Sequence, residues 1–301
     1  MIAARQLSSG FYPQVLPLPA SSPVAPDLRR QARDLAQRVR SLQIETRRTI
    51  LEMAFRAHVG HIGSALSVSD ILLTLYCDVL NIPSHNHADR DRFVLSKGHA
   101  AMALYAAMHT AGLITRDEMN SFHQDGTRMG VHPDHSMRGV DFSTGSLGQG
   151  LGMGAGAALA ARLQNSSRRV FVLLSDAECN EGSVWEAIMF ASHHQLSNLV
   201  AIIDLNGQQA LGHTRDVMDL SPMRKRWEAF GWQAVEVDGH NPVQMSRALC
   251  NLDTSSGAPH VMIARTVSGK GVSFMEGQVK WHYWPMSEQE YRQAINEIGV
   301  A

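Results

Sequence analysis

Val170-Phe171-Val172-Leu173-Leu174 runs directly into Ser175-Asp176-Ala177-Glu178-Cys179-Asn180-Glu181-Gly182, and Leu199-Val200-Ala201-Ile202-Ile203 runs into Asp204-Leu205-Asn206-Gly207. Each apolar run is short and rich in branched residues, the pattern of a strand buried on both faces of a parallel sheet. The polar loops then fall at the carboxyl ends of the strands, where open α/β sheets bind ligands. Asp176 and the amide oxygen of Asn206 are hard oxygen donors from neighbouring loops. They suit Mg²⁺ or Ca²⁺, completed by phosphate oxygens and water. Two polar loops that merely end two core strands would read the same way, so this pair alone leaves a metal–diphosphate site open.

Outward from these loops the order is regular. A Gly/Ala-rich helix is expected over 146–163, then the strand 170–174, a helix over 183–195 and the strand 199–203. A helix near 222–230, a strand 233–237, a helix 242–252 and a strand 261–264 follow. Such alternation means a doubly wound parallel sheet with helices on both faces. Upstream, Asp27 can cap a helix, and Leu28, Ala32, Leu35, Val39 and Leu42 form one apolar stripe that continues through Ile50, Met53 and Ala57. Further helices are expected over 67–80 and 100–111, with a short strand at 92–95. Residues 115–143 are polar and long for a structureless loop, which marks them as functional or as a partner surface.

The chain has 301 residues, enough for one large α/β domain. We read an arm over 1–26, with five prolines that exclude a regular helix, a domain over 27–301, and a tail within it after about Gly277. Hydrophobic residues make up 44%, charged residues 18%, and the net charge is −1. A balance so near neutral, with no basic stripe, gives no sign of nucleic-acid binding. No apolar run reads as a membrane span and the start lacks the order of a secretory signal, so a cytoplasmic location is expected. Cys77, Cys179 and Cys250 have no metal or disulfide spacing and fit a reducing compartment.

The Gly-rich Thr144-Gly145-Ser146-Leu147-Gly148-Gln149-Gly150 opens a helix, where free N–H groups and close backbone approach favour an anion. Gly148, Gly152 and Gly156 repeat every four residues, so helix–helix packing is an equal expectation. Fifteen histidines exceed an ordinary share. Gly60-His61-Ile62-Gly63, Ser96-Lys97-Gly98-His99-Ala100, Val131-His132-Pro133, the Gly-rich loop and the Asp176 and Asn206 loops, in this order, resemble the amino-terminal, diphosphate-binding half of transketolases, which are thiamine diphosphate enzymes. The likeness runs from about residue 36 to about residue 286.

The resemblance implies a thiamine diphosphate-binding fold and a set of roles. Asp176, Asn206 and a backbone carbonyl near Gln208 would hold Mg²⁺ (or Ca²⁺). His99, Gly145, Leu147, Gly148 and Ala177 would lie along the cofactor with Asp176 and Asn206. Glu181 matches a family position near the subunit interface, in a carboxylate link between two sites. His61 and His132 would face the reactive carbon and the substrate hydroxyls, and His282, in Trp281-His282-Tyr283-Trp284, the diphosphate and the substrate entrance. Imidazole suits proton transfer near neutral pH. Three positions depart from the family: Ser175 and Ala177 flank Asp176 where Gly-Asp-Gly is usual, and Tyr283 stands where Gly is usual. Asp204 is expected to brace the metal loop, and Lys270 to be solvated.

In the family a Glu on a second, pyrimidine-binding domain activates the cofactor. The chain reaches Ala301 with no room for that domain. The expectation is therefore a transferase half-enzyme, the N-terminal subunit of a split transketolase. It would form an α2β2 assembly with a C-terminal, pyrimidine-binding subunit. The pair would move a two-carbon ketol unit between a ketose donor and an aldose acceptor, sugars or sugar phosphates. A chain of another thiamine diphosphate enzyme, or a non-catalytic binding or regulatory relative, are the alternatives.

Overall fold

The computed structural model describes residues 26–300, with side chains described from 34 to 299. The proline-rich arm therefore lies outside the described residues, apart from Pro26 at the start of the first helix. The elements in chain order are α1 (Pro26–Ala57), α2 (Ile62–Thr74), β1 (Arg92–Leu95), α3 (Ala101–Thr110), α4 (Arg116–Asn120), α5 (Gly150–Leu163) and β2 (Val170–Ser175). They continue with α6 (Gly182–His193), β3 (Leu199–Leu205), the hairpin β4 (Gln208–Gln209) and β5 (Gly212–His213), α7 (Thr214–Val217), α8 (Met223–Ala229), β6 (Gln233–Asp238), α9 (Pro242–Cys250), β7 (His260–Arg265), α10 (Lys280–Tyr283) and α11 (Glu288–Val300).

The five long strands form one parallel sheet in the order β1-β2-β3-β7-β6. Successive side chains of a strand point to opposite faces, and the sheet sorts its residues accordingly. Phe171, Leu173, Val200, Ile202 and Met262 join the core under α1, α2, α3 and α9. Val170, Val172, Leu174, Ala201 and Ile263 join the core under α5, α6 and α8. The chain steps one way from β1 through β3 to β6, then back to β7. Right-handed crossovers place α5, α6 and α8 on one face and α9 on the other. Loops leaving β1 and β7 run toward the α2–α3 face, and those leaving β2 and β3 run toward the α5–α6 face. The carboxyl ends of β2 and β3 are left in a crevice between them, the usual ligand position of an open sheet.

Two expectations need correction. The segment after Gly277 is not a tail: Trp281, Met286, Ala294 and Ile298 are buried, and Tyr291 of α11 stacks on Phe55 of α1 at 4.2 Å between ring centres. The helix expected over 67–80 starts at Ile62 and closes with a π turn over Leu75–Val79. Together these form an 18-residue stretch, Ile62–Val79, apolar and long enough to span a membrane by composition, yet 83% of it is buried inside the fold. In α5, Gly150 and Gly154 are the glycines packed closely within this chain: a Cβ at 154 would fall 2.3 Å from Val172, which seats the helix on the sheet, whereas one at 152 or 156 would meet nothing within 4 Å.

Candidate active site

Asp204, at the end of β3, is fully buried. A buried carboxylate persists only if it is paired and hydrogen-bonded. Lys97 Nζ, equally buried, donates to its Oδ2 at 2.5 Å, Asn206 Nδ2 donates to the same oxygen at 2.9 Å, and Ser67 Oγ donates to Oδ1 at 2.7 Å. Thr266 Oγ1 also donates to Oδ1. These donors come from α2, the loop after β1, the loop after β3 and the loop after β7. Asp204 thus pins four segments to one point, the bracing role expected of it.

Asp176 lies one strand over, where Ser175 is in register with Asp204. Its Oδ2 accepts the Gly207 amide at 2.8 Å and its Oδ1 the Ala177 amide at 2.9 Å. Burial first, and then the Asp204 charge, push its carboxyl up to about 7. Asn206 turns its Nδ2 to Asp204, which directs Oδ1 the other way, where it accepts the Gln208 amide at 2.9 Å. The structure therefore brings Asp176, Asn206 and Gln208 together. A cavity of about 390 Å³ opens beside them, lined in part by Asp176, Asn206, Gly207, Asp219 and Arg224.

The Gly-rich loop is tied down by a residue for which no role was expected. Glu178 is fully buried. Its carboxylate accepts Ser96 Oγ, the Gly148 amide at 2.8 Å and the Ser175 amide at 3.2 Å. Gly148 has φ 85°, and a Cβ there would meet Ser183 Oγ at 2.6 Å and Glu181 Cβ at 2.7 Å. Both facts require glycine. Gly145 lies against His132, 3.6 Å from where its Cβ would be to the ring. Leu147 and Glu181 are exposed, with Glu181 at the N-cap of α6.

His61 precedes α2 with φ 60°, in the left-handed region. For a residue with a Cβ this costs roughly 1–2 kcal/mol, and the surroundings must hold it. The His61 amide donates to the His282 carbonyl at 3.2 Å. A Cβ on Gly60 would fall 2.2 Å from the Tyr283 carbonyl oxygen, so glycine at 60 permits the approach. His61, His99 and His282 come together as a result. Their ring centres lie 5.0, 5.3 and 5.5 Å apart, and one ring nitrogen from each lies within 4.8 Å of the others. His61 Nδ1 is buried without a partner.

All four expected histidines are held neutral near pH 7. Burial lowers His61 first, then His132 and Lys97. His99 is held well below its ordinary value by burial first, then by Lys97 and the other three histidines. Burial, His61 and Lys97 take His282 down to about 4, and burial alone lowers His132. Burial here disfavours the charged imidazolium and leaves neutral rings that can each donate and accept one hydrogen bond. His61 and His99 also stand at the amino-terminal ends of α2 and α3, where helix N–H groups point outward. The same trio could ligate a cation, but the nearby ammonium of Lys97 opposes that.

Residues 39–301 match the family described as transketolase, thiamine diphosphate binding domain. The chain belongs to the transketolase family. It is 38% identical to an apulose-4-phosphate transketolase subunit of Phocaeicola vulgatus, over 87% of this chain and 95% of that protein. It is 36% identical to the 6-deoxy-6-sulfo-D-fructose transketolase subunit SqwG of a Clostridium species, over 84% of this chain and 93% of that one. The crystal structure of transketolase from Campylobacter jejuni superimposes with a TM-score of 0.80 at 30% identity, covering 87% of this chain but 43% of that enzyme. This transketolase-family chain thus has the thiamine diphosphate-binding α/β fold, in a family of transferases.

The residues present fit that cofactor. Asp176 is a buried carboxylate with two amide donors and no ion-pair partner among the described residues, while Lys97 is taken up by Asp204. The orphaned His61 Nδ1 and the helix starts at 61 and 99 face an anion's needs. Lys97 and Glu178 are the functional residues that the sequence left without a role, although each lies within one of the stretches that carry the family likeness.

Proposed function

We propose that this chain is the diphosphate-binding subunit of a split transketolase, transferring a two-carbon ketol unit from a ketose to an aldose in complex with a separate pyrimidine-binding chain. The observation that carries the reading is the joint presence of the His61–His99–His282 trio and the Asp176–Asn206 loops at one end of the sheet. The near-complete match to relatives named as transketolase subunits supports the division into two chains. Since those relatives are named for different sugars, the sugar or sugar-phosphate pair is a matter for assay.

Thiamine diphosphate supplies a nucleophilic carbon that carries the two-carbon fragment. Asp176, Asn206 Oδ1 and the Gln208 carbonyl would hold Mg²⁺ against its diphosphate, and His99 with the Gly145–Gly148 loop would bind the phosphate oxygens. Neutral His61 and His132 would exchange a proton with the sugar hydroxyl or carbonyl oxygen as its charge changes. Neutral imidazole offers one donor and one acceptor nitrogen, so it can do either without a prior change of charge. His282, joined to His61 through the backbone, would fix the ring positions and close the diphosphate side.

The test is to capture the tagged chain from its own cell extract with thiamine diphosphate and Mg²⁺, then assay ketol transfer. A stoichiometric partner, with activity in the mixture and none in the purified chain, is the expected result. A chain that binds no cofactor in that mixture would sink the reading.

A further inference from the structure

Tyr283 and Trp284 are 53% and 63% exposed. Of the five tryptophans, Trp284 alone is exposed. The two rings are not on a loose loop. Trp281 before them and Met286 after them are buried, Trp281 Nε1 donates to the Phe274 carbonyl at 3.1 Å, and the Trp284 amide donates to the Lys280 carbonyl at 3.1 Å. Gly60 packs on the Tyr283 backbone, and the Tyr283 ring sits 5.1 Å from that of His282. A short segment, fixed on both sides, therefore holds two large aromatic rings out from the rim of the histidine trio.

We infer that Tyr283 and Trp284 are the anchor on which the pyrimidine-binding chain docks, which rests on the functional reading above. Exposed, rigid Trp and Tyr side chains are the residues that most often dominate a protein interface, because they bury much apolar area with little loss of freedom. The position argues for this partner. A second chain that activates a cofactor held by His99 and Asp176 must come up to the histidine trio, and the Tyr283 ring lies 5.1 Å from His282 of that trio, with Trp284 next to it in sequence. Docking over them would also remove water from His282 and His61, where water competes with proton transfer.

The test measures the dissociation constant between this chain and the pyrimidine-binding chain from the same cell, with thiamine diphosphate and Mg²⁺ present. Wild type is compared with Trp284→Ala, Tyr283→Ala and, as a control at an exposed apolar position on α9, Val243→Ala. Trp284→Ala should weaken binding by about 30-fold or more, Tyr283→Ala by less, and Val243→Ala by nothing measurable. The sugar KM values, read at saturating partner, should not follow the same order. Wild-type affinity in Trp284→Ala overturns the anchor; if the sugar KM rises in that case, the rings face the acceptor sugar instead. A wild-type pair that forms no complex fails the functional reading itself, whatever the variants do.

Discussion

The Asp204 brace and the histidine trio lie at the same end of the sheet, yet they are built on opposite terms. Around Asp204 the buried charges are partnered: four donors meet one carboxylate, and Glu178 receives three more. Around His61 the polar groups are left wanting, with an orphaned nitrogen, a left-handed backbone and imidazoles held neutral by burial. The first region is satisfied and so rigid. The second keeps its hydrogen-bonding capacity for something that arrives. Asp176 belongs between them, since it has its backbone donors but lacks a counter-charge.

That contrast can be broken at three points. The largest effect is expected from Asp176→Ala, which removes the charged ligand: Mg²⁺-dependent binding of thiamine diphosphate should vanish in calorimetry, and unchanged binding would put the ion elsewhere. Next, His61→Ala should leave cofactor affinity near normal while ketol transfer with the partner slows by about 10²–10⁴-fold, the usual worth of a general acid–base group. Wild-type turnover in that variant would take His61 out of the chemistry. The smallest effect belongs to Ser67→Ala, which removes one of four donors to Asp204. It should cost about 1.5–3 kcal/mol in urea unfolding, as for a hydrogen bond to a buried charge. A loss of a few tenths would mean that the other three donors suffice.

The sheet is legible in the sequence because burial on both faces forces continuous apolar runs, and a run of that kind ending in Asp or Asn says where the loop goes. The strands expected over 170–174 and 199–203 are each right to within two residues at their ends. The segment after Gly277 reads as a tail although Tyr291, Ala294, Ile295 and Ile298 carry a helical stripe; the polar residues between them and the preceding Pro285 hide it. Lys97 and Glu178 are illegible for a different reason. In sequence a buried charge looks like a surface charge, and the partners that reveal it, Asp204 for one and Ser96 and Gly148 for the other, are far away along the chain. At α5, periodicity predicts that Gly148, Gly152 and Gly156 share a face but does not show that Gly150 and Gly154 are the ones that meet Ser96 and the sheet.

The backbone bond from His61 to His282 joins segments near opposite ends of the described chain. During synthesis the Asp204 brace can close once the loop after β7 has left the ribosome. The histidine trio must wait for α10, and α11 then covers α1. Contacts so distant in sequence close late, after most of the ordering entropy has been met by the sheet. A chain ordered only through β7 therefore holds the Asp204 brace but not the histidine trio, which waits for α10.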